Sequence, residues 1–438
     1  MSIVHLSPFC DLGHYLIITT GRLTTAKWRR DMKKSNTVKK MCQAIGMAAL
    51  LSMNITSAYA DDANTTGLAV TADTVKVGIL HSITGTMALS EAGSVEAEKL
   101  AIEQINASGG VLGRKIEFVQ EDGASDWPTY AEKAQKLIVN DKVAAVFGCW
   151  TSASRKAVLP IFEQYNNMLF YPTFYEGLEQ SDNIIYTGQE ATQQILAGLD
   201  WVMKNKGAKT FYLIGSDYIW PRTSFKIARK HIEKNGGTVV GEEYYPLGHT
   251  QFNSVINKFK LKKPDAIFSI VVGGSNVSFY KQLKAAGIDL TAEKPLLMST
   301  SVTEDEVLGI GGENYEGAYS ITKYFQSMDN ESNKKFVAEF KKMWGDKSVI
   351  GDVTESAYLG PWLWKFAVEK AGSFDIDKLK KSLPGVEFAD APNGPVKIHD
   401  NPHLWMKTVV GQGQKDGMFK VVYQSDMIEP NPFPAGYQ

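Results

Sequence analysis

The stretch TVKVGIL, residues 74–80, is rich in β-branched residues, and residues 91–106 after it repeat apolar side chains with helical spacing. Residues 108–110 (SGG) end that helical segment, and residues 115–120 form a second β-rich run. A strand, a helix and another strand in this order are typical of a parallel sheet with a crossover helix. The segment therefore predicts an α/β fold.

The same alternation of β-rich and helical segments continues to about residue 371. Further strands are predicted at residues 144–148, 168–171, 184–187, 210–214, 238–244, 266–271 and 296–299. Further helices are predicted at residues 130–139, 154–165, 193–206, 222–235, 252–260, 276–286, 333–344 and 355–371. The rhythm restarts after residue 187, which indicates two comparable βα arrays.

We therefore predict two lobes, each a mostly parallel sheet flanked by helices. Lobe 1 is assigned residues 73–192 plus 325–384, and lobe 2 residues 193–324 plus 385–438. The Pro- and Gly-rich tail suggests a chain that crosses back between the lobes. A crevice between two such lobes, outside the carboxyl ends of their strands, is a common ligand site.

Residues 1–60 have the features of an export leader. Four lysines between residues 33 and 40 precede an uncharged core at residues 42–53, and Ala58-Tyr59-Ala60 supplies a small-residue cleavage site. We predict cleavage after Ala60, a functional start at Met32 and a mature protein in the periplasm. The core is far shorter than the roughly 20 apolar residues of a membrane span.

Composition excludes several classes of function. The 438 residues are 44% hydrophobic and 22% charged, as in a soluble globular protein. The chain after residue 60 carries a net charge of about -7, which argues against nucleic-acid binding. Cys149 is the only cysteine beyond the predicted cleavage site, so no intrachain disulfide is expected.

The chemically informative residues follow predicted strands. Four such turns are GCWTS at 148–152, FYPTFYEG at 170–177, GSDYIWPR at 215–222 and, more weakly, VVGGS at 271–275. Turns at the carboxyl ends of strands in doubly wound sheets point into one crevice. A single aromatic residue after a strand is more often part of the core, but four such turns together favour a ligand site.

Their side chains predict an aromatic box with hydroxyl groups at its edge. Polar-edged aromatic rings and hydroxyls suit a small, flat, uncharged solute such as an amide. Three carboxylates are candidate acceptors for its NH2 groups, and the sequence does not choose among Glu176, Glu190 and Asp217. The box itself comprises Trp150, Tyr171, Tyr175, Tyr218 and Trp220, with hydroxyls from Ser152 and Thr173.

No enzyme motif accompanies these turns. The sequence lacks a G-x-S-x-G elbow, an H-E-x-x-H pair, a Walker loop and a G-x-G-x-x-G turn after the first strand. His399 and His403 are four residues apart, but Pro402 between them argues against a helical metal pair. We predict no catalytic residue, no metal site and no cofactor.

Residues 148–158, 171–177 and 215–222, with DGASDWP at residues 122–128, resemble the urea- and short-chain-amide-binding branch of type I periplasmic binding proteins, in particular the substrate-binding subunits of ABC-type urea transporters. The resemblance runs from about residue 75 to residue 432. It implies a two-lobed type I fold and a periplasmic receptor that delivers urea to a membrane permease. The alternatives are a receptor for formamide, acetamide or a branched-chain amino acid, or an amide-sensing regulatory module.

The resemblance also implies which residues bind the ligand. The pocket so implied consists of Trp150, Ser152, Tyr171, Thr173, Tyr218 and Trp220. Further candidates from the same turns are Thr151, Phe174, Tyr175, Asp217, Val272 and Gly273. The expected partners are urea or another small amide and the permease subunits, and the protein is expected to be a monomer.

Overall fold

The computed structural model describes residues 67–438, so the predicted leader lies outside the described residues. Lobe 1 is built on a five-stranded, wholly parallel sheet with the order β2-β1-β3-β4-β5. Its strands are β1 (Thr74–His81), β2 (Lys115–Asp122), β3 (Val146–Gly148), β4 (Leu169–Tyr171) and β5 (Ile184–Tyr186).

Lobe 2 is built on a seven-stranded sheet with the order β15-β14-β10-β9-β8-β6-β7. Five neighbouring strands are parallel, while β14 and β15 pair antiparallel at one side. The strands are β6 (Thr210–Ser216), β7 (Thr238–Tyr245), β8 (Ala266–Ile270), β9 (Leu296–Ser299), β10 (Tyr319–Thr322), β14 (Val409–Gly413) and β15 (Phe419–Gln424).

Helices cover the faces of both sheets. They are α1 (Ala88–Ala107), α2 (Trp127–Gln135), α3 (Ser152–Gln164), α4 (Ala197–Asn205), α5 (Ile219–Lys234), α6 (Asn253–Lys262), α7 (Ser275–Ala285), α8 (Glu304–Ile310), α9 (Gly312–Tyr315), α10 (Glu331–Trp344), α11 (Asp352–Ala371) and α12 (Ile376–Ser382). Most predicted strands and helices are confirmed within a few residues, whereas β10, α8, α9 and α12 were not predicted because each is short.

The tail departs from the lobe boundaries predicted from the sequence. Strands β11 (Glu387–Phe388), β12 (Val396–Ile398) and β13 (Leu404–Trp405) form a separate antiparallel sheet. Apolar side chains from Val386 to Met406 pack in the same core as β1 and α11, in lobe 1. Only the later strands β14 and β15 join the sheet of lobe 2, because β14 pairs with β10.

Both sheets reverse their winding at an equivalent place. In lobe 1 the chain moves out from β1 to β2 and then returns to β3 on the other side, and in lobe 2 it does the same from β6 to β7 and β8. The carboxyl ends of β1 and β3, and of β6 and β8, are therefore the switch points at which such sheets bind ligands. The predicted turns at residues 148–152, 215–222 and 271–275 follow these strands.

The chain first crosses from lobe 1 to lobe 2 between β5 and α4, in the crossing segment at residues 187–196, which two buried glutamines hold in place. Gln193 Nε2 donates to the carbonyl oxygens of Leu404 at 2.9 Å and Ile428 at 3.1 Å. Gln194 Nε2 donates to the carbonyl oxygens of Thr300 at 3.1 Å and Ile321 at 3.0 Å. The crossing segment is thereby held against backbone of the tail and of lobe 2.

Glu190 lies in the first crossing segment, and its side chain accepts hydrogen bonds from the backbone N–H groups of Thr192 at 2.7 Å and Asn431 at 3.3 Å. Burial raises its pKa from 4.5 to about 7, although these hydrogen bonds oppose the shift. The contribution of this group to stability is therefore full below about pH 4.5 and is lost as the pH rises through about 7.

We expect Glu190→Gln to flatten the pH dependence of stability, because glutamine resembles the protonated acid at every pH. The loss of unfolding free energy across this window should be on the order of 3 kcal/mol smaller in the variant than in the wild type. Thermal unfolding at about pH 5 and about pH 8 measures the difference. Glu132→Gln, at a glutamate whose side chain is 77% exposed, is the control. Equal pH slopes in wild type and Glu190→Gln would contradict the expectation.

Candidate functional site

The turn after β3 brings the first predicted residues to the crevice. Gly148 has a φ of +148°, and a Cβ there would lie 2.1 Å from the carbonyl oxygen of Leu80, so glycine is required. Thr151 caps α3, because its hydroxyl oxygen accepts a 3.0 Å hydrogen bond from the N–H of Ser154. The structure thus uses Thr151 as a helix cap and leaves Trp150, 1% exposed, to pack across the crevice.

The turn after β4 divides its aromatic residues between two environments. The Tyr171 hydroxyl donates to the carbonyl oxygen of Trp150 at 2.7 Å, which joins the ends of the two strands. Tyr175, predicted as a further pocket residue, instead lies in the core of lobe 1, where its ring stacks on Tyr186 at 4.9 Å. Its hydroxyl is 2.7 Å from Nε2 of His403, so it has a protein partner.

The turn after β6 places Tyr218 and Trp220 at the start of α5. The helix begins at Ile219, earlier than predicted, because Pro221 is tolerated in a first turn. Asp217, a predicted pocket residue and candidate acceptor, instead points outward and is 40% exposed. It pairs with Nε of Arg222 at 2.6 Å, so this carboxylate lies apart from the aromatic side chains.

The turn after β8 makes contact with the other lobe. The backbone N–H of Val272 donates to the hydroxyl of Ser216 at 3.1 Å, and the Val272 side chain packs in the same cluster as Trp220. Gly273 has a φ of +62°, and a Cβ there would lie 2.7 Å from the carbonyl oxygen of Thr86 in lobe 1. Gly273 therefore permits the close approach of the lobes.

Four aromatic rings from both lobes meet in what we call the aromatic cage: Trp150, Phe174, Tyr218 and Trp220. The centroids of Trp150 and Trp220 are 6.5 Å apart with their planes at 87°. Phe174 lies 5.7 Å from Trp150 and 5.0 Å from Trp220, and Tyr218 lies 6.4 Å from Trp220. These distances are those of favourable aromatic contacts, so the lobes are in a closed arrangement.

Four predicted site residues each carry a buried polar atom with no hydrogen-bond partner among residues 67–438. The great majority of buried polar atoms in proteins have such a partner, and leaving one unpaired costs roughly 1–3 kcal/mol. Two of the atoms belong to lobe 1 and two to lobe 2. They are Trp150 Nε1, Thr173 Oγ1, Tyr218 Oη and Trp220 Nε1. Other buried polar atoms among residues 67–438 also lack a partner, so it is the position of these four at the crevice that makes them candidate ligand contacts.

Charged residues behind the cage balance one another. Arg155 is fully buried, with its guanidinium 4.8 Å from the ring centroid of Tyr171. Its Nε donates to Glu179 at 2.6 Å, and it contacts Glu176 at 3.4 Å. Burial alone would raise the pKa of Glu179, but the adjacent Arg155 and Lys156 charges lower it to about 2. Two cations and two carboxylates leave no unbalanced charge in this group.

Sequence reasoning missed the role of Arg155, although it lies within the motif that carried the resemblance. Of the three candidate acceptors, Glu176 is the one hydrogen-bonded to a residue of the implied pocket, since its Oε2 accepts a 2.6 Å hydrogen bond from the Ser152 hydroxyl. Glu190 lies in the crossing segment and is bonded to Thr192 and Asn431. Among residues 67–438, no group of three or more His, Cys, Asp or Glu side chains is arranged to hold a metal ion.

Comparison with known proteins decides the family. Residues 75–438 match a family described as a periplasmic binding protein domain. The chain belongs to the periplasmic binding protein family. Membership implies export to the periplasm, and within the described part of this binding protein no helix has the length and apolar character needed to span a bilayer.

Curated relatives of this binding protein carry names that refer to amino acids. It is 27% identical over 357 residues to "Leu/Ile/Val-binding protein homolog 6" of Brucella melitensis, which covers 77% of this chain and 88% of the relative. It is 28% identical over 345 residues to the "Leucine-, isoleucine-, valine-, threonine-, and alanine-binding protein" of Pseudomonas aeruginosa, covering 76% and 88% respectively.

Solved structures share the fold of this binding protein. A solute-binding protein of an ABC transporter from Rhodopseudomonas palustris HaA2, solved in complex with p-hydroxybenzoic acid, superposes with a TM-score of 0.74 at 26% identity. The superposition covers 84% of this chain and 100% of that chain. These findings confirm the α/β two-lobed fold and the role of a solute-binding protein in an ABC transporter.

Cys149 should be unreactive in the folded protein. Burial raises the pKa of its thiol far above the ordinary value, and the side chain is 0% exposed. We expect alkylation by iodoacetamide at about pH 8 to be at least about 100-fold slower in native than in heat-unfolded protein. Mass spectrometry of the labelled chain measures the two rates. Rapid labelling of native protein would show that this part of the site opens to solvent.

Proposed function

We propose that this binding protein captures a small neutral amide, with urea as the first candidate, and delivers it to the membrane permease of an ABC transporter. The observation that carries the proposal is the set of four buried polar atoms without protein partners, contributed equally by the two lobes. A ligand that satisfies atoms of both lobes stabilises the closed arrangement over the open one.

The chemistry of these atoms matches an amide. An indole N–H only donates, so Trp150 and Trp220 suit a carbonyl oxygen, whereas hydroxyls such as those of Thr173 and Tyr218 donate or accept. Urea presents one carbonyl oxygen and two NH2 groups, so it needs both kinds of partner. Flat aromatic faces around it favour a planar solute.

The balanced charges support a neutral ligand over a carboxylate. Arg155 is already paired with Glu176 and Glu179, and Lys156 Nζ lies 2.6 Å from Glu179. A ligand carboxylate enclosed in this site would have no unpaired cation, and burial of an unpaired charge is costly. This feature is our reason for separating the ligand from the amino acid and benzoate ligands named for the relatives.

The second candidate is a receptor for a branched-chain amino acid, which the names of the curated relatives favour. Formamide and acetamide remain alternatives within the amide class. An amide-sensing regulatory module is the alternative of a different class, and it predicts a cytoplasmic protein bound to a regulatory partner. The proposed receptor is a periplasmic monomer without a cofactor or catalytic activity.

Isothermal titration calorimetry with urea, formamide, acetamide, leucine and 4-hydroxybenzoate tests the ligand class. We expect urea to give saturable binding heat and the two carboxylate ligands to give none. The tryptophan fluorescence should change with urea, since Trp150 and Trp220 meet across the lobes. Tight binding of leucine without urea binding would replace the proposal by an amino acid receptor.

Conservative substitutions test the four unpaired atoms. Trp220→Phe removes an N–H but keeps an aromatic ring, and Thr173→Val removes a hydroxyl at nearly constant shape. Each should weaken urea binding about tenfold or more, equivalent to one hydrogen bond of about 1.4 kcal/mol. Asp217→Asn is the control, because Asp217 is exposed and paired with Arg222. Unchanged urea affinity in both site variants would place the ligand elsewhere.

A further inference from the structure

Ser152 lies in the first turn of α3 with its hydroxyl held between two charged side chains. Its Oγ is 2.6 Å from Glu176 Oε2 and 3.2 Å from an Arg155 terminal nitrogen. All three residues are 2% exposed or less, so bulk water does not compete for these hydrogen bonds. The hydroxyl is therefore fixed by the protein before any ligand arrives.

The direction of each hydrogen bond follows from which groups can donate. A guanidinium has five N–H donors and no acceptor, so Arg155 must donate to Ser152. The Glu176 carboxylate only accepts, so Ser152 must donate its single proton to Glu176. After both bonds form, Ser152 Oγ has one lone pair left and no proton to offer.

We infer that Glu176 is a positioning residue that makes Ser152 Oγ an obligate acceptor, so that lobe 1 recognises the ligand by its N–H groups. The inference rests on the proposed amide function and adds to it how the protein recognises the NH2 group of the ligand. Glu176 acts through Ser152 and does not itself need to touch the ligand. Arg155 fixes the arrangement, because it is buried against the rings of Tyr171 and Tyr175.

Tyr171 supplies a second oxygen of the same kind. Its hydroxyl proton is donated to the carbonyl oxygen of Trp150 at 2.7 Å, which leaves Oη able only to accept. Ser152 and Tyr171 each lie two residues from a residue of lobe 1 with an unpaired polar atom, Trp150 and Thr173 respectively. The two acceptors of lobe 1 therefore belong to the same two turns as the unpaired atoms of that lobe.

As a consequence, Ser152 selects ligands by whether they have an N–H hydrogen to donate to it. An NH2 group placed against Ser152 donates a hydrogen bond to Oγ, whose remaining lone pair can accept it. A carboxylate oxygen in the same place would face a lone pair with no proton between them, which is repulsive and leaves both groups unsatisfied. Acetamide and acetate have nearly the same shape, so the ratio of their affinities measures this selection directly.

Glu176→Gln tests the inference. The introduced amide NH2 can donate to Ser152 Oγ, which frees the serine proton to point at the ligand. We expect urea affinity to fall at least about tenfold, and the preference for acetamide over acetate to fall at least about tenfold. Titration calorimetry with urea, acetamide and acetate gives all three affinities for wild type and variant. Thermal unfolding of each protein checks that the variant folds.

Three further variants separate positioning from a structural role. Glu179→Gln removes a carboxylate from the same Arg155 without touching Ser152, so it should leave the acetamide preference within about twofold. Glu176→Asp keeps an acceptor-only carboxylate and should restore the preference that Glu176→Gln loses. In a Ser152→Ala background, Glu176→Gln should have no further effect on the preference, since its effect passes through the serine oxygen.

The outcomes separate the proposed function from the positioning role of Glu176. A wild type that binds none of the amides refutes the proposed function. A wild type that binds urea, with an acetamide preference that Glu176→Gln leaves unchanged or that falls equally in Glu179→Gln, refutes the positioning role alone. If Glu176→Gln does not fold, an unchanged preference in Ser152→Ala overturns the inference, because that variant removes the acceptor itself.

Discussion

The burial of the Arg155 guanidinium is the constraint on which the site depends. Moving an arginine charge out of water costs several kcal/mol, and only well-placed partners offset that cost. Glu176 and Glu179 supply the charge, and the rings of Tyr171 and Tyr175 supply the surface. Because these partners follow β4 while Arg155 lies on α3, the ion pairs hold the turns after β3 and β4 together. Each group of lobe 1 that we propose to face the ligand is attached to one of those two turns.

The two sheets explain how lobe 2 supplies the other half of the aromatic cage. Both lobes wind in the same order, so each presents its switch point at the carboxyl ends of its strands. Trp150 and Trp220 follow β3 and β6, and they meet although 70 residues separate them in the chain. Gly273 lets the backbone of lobe 2 reach that of lobe 1 beside them. The cage is thus a product of two similar sheets brought face to face.

The α/β alternation and the turns at the crevice were predictable from the sequence, because the carboxyl ends of the strands determine which residues reach the crevice. Side-chain direction was not predictable. Tyr175 follows Tyr171 by four residues and has the same chemistry, yet its hydroxyl pairs with His403, which lies 228 positions later. Asp217 points to solvent, where it pairs with Arg222 in the first turn of α5. The placement of Val386–Met406 in lobe 1 also depends on contacts distant in sequence.

The four unpaired atoms at the crevice affect how efficiently transport uses ATP. Closure without a ligand would strip water from two indoles and two hydroxyls and leave each unsatisfied, at roughly 1–3 kcal/mol apiece. An unoccupied receptor is thereby biased towards the open form. A permease that responds to closed lobes would then rarely meet a closed receptor without ligand. Few cycles of ATP hydrolysis would therefore take place without transport of a ligand.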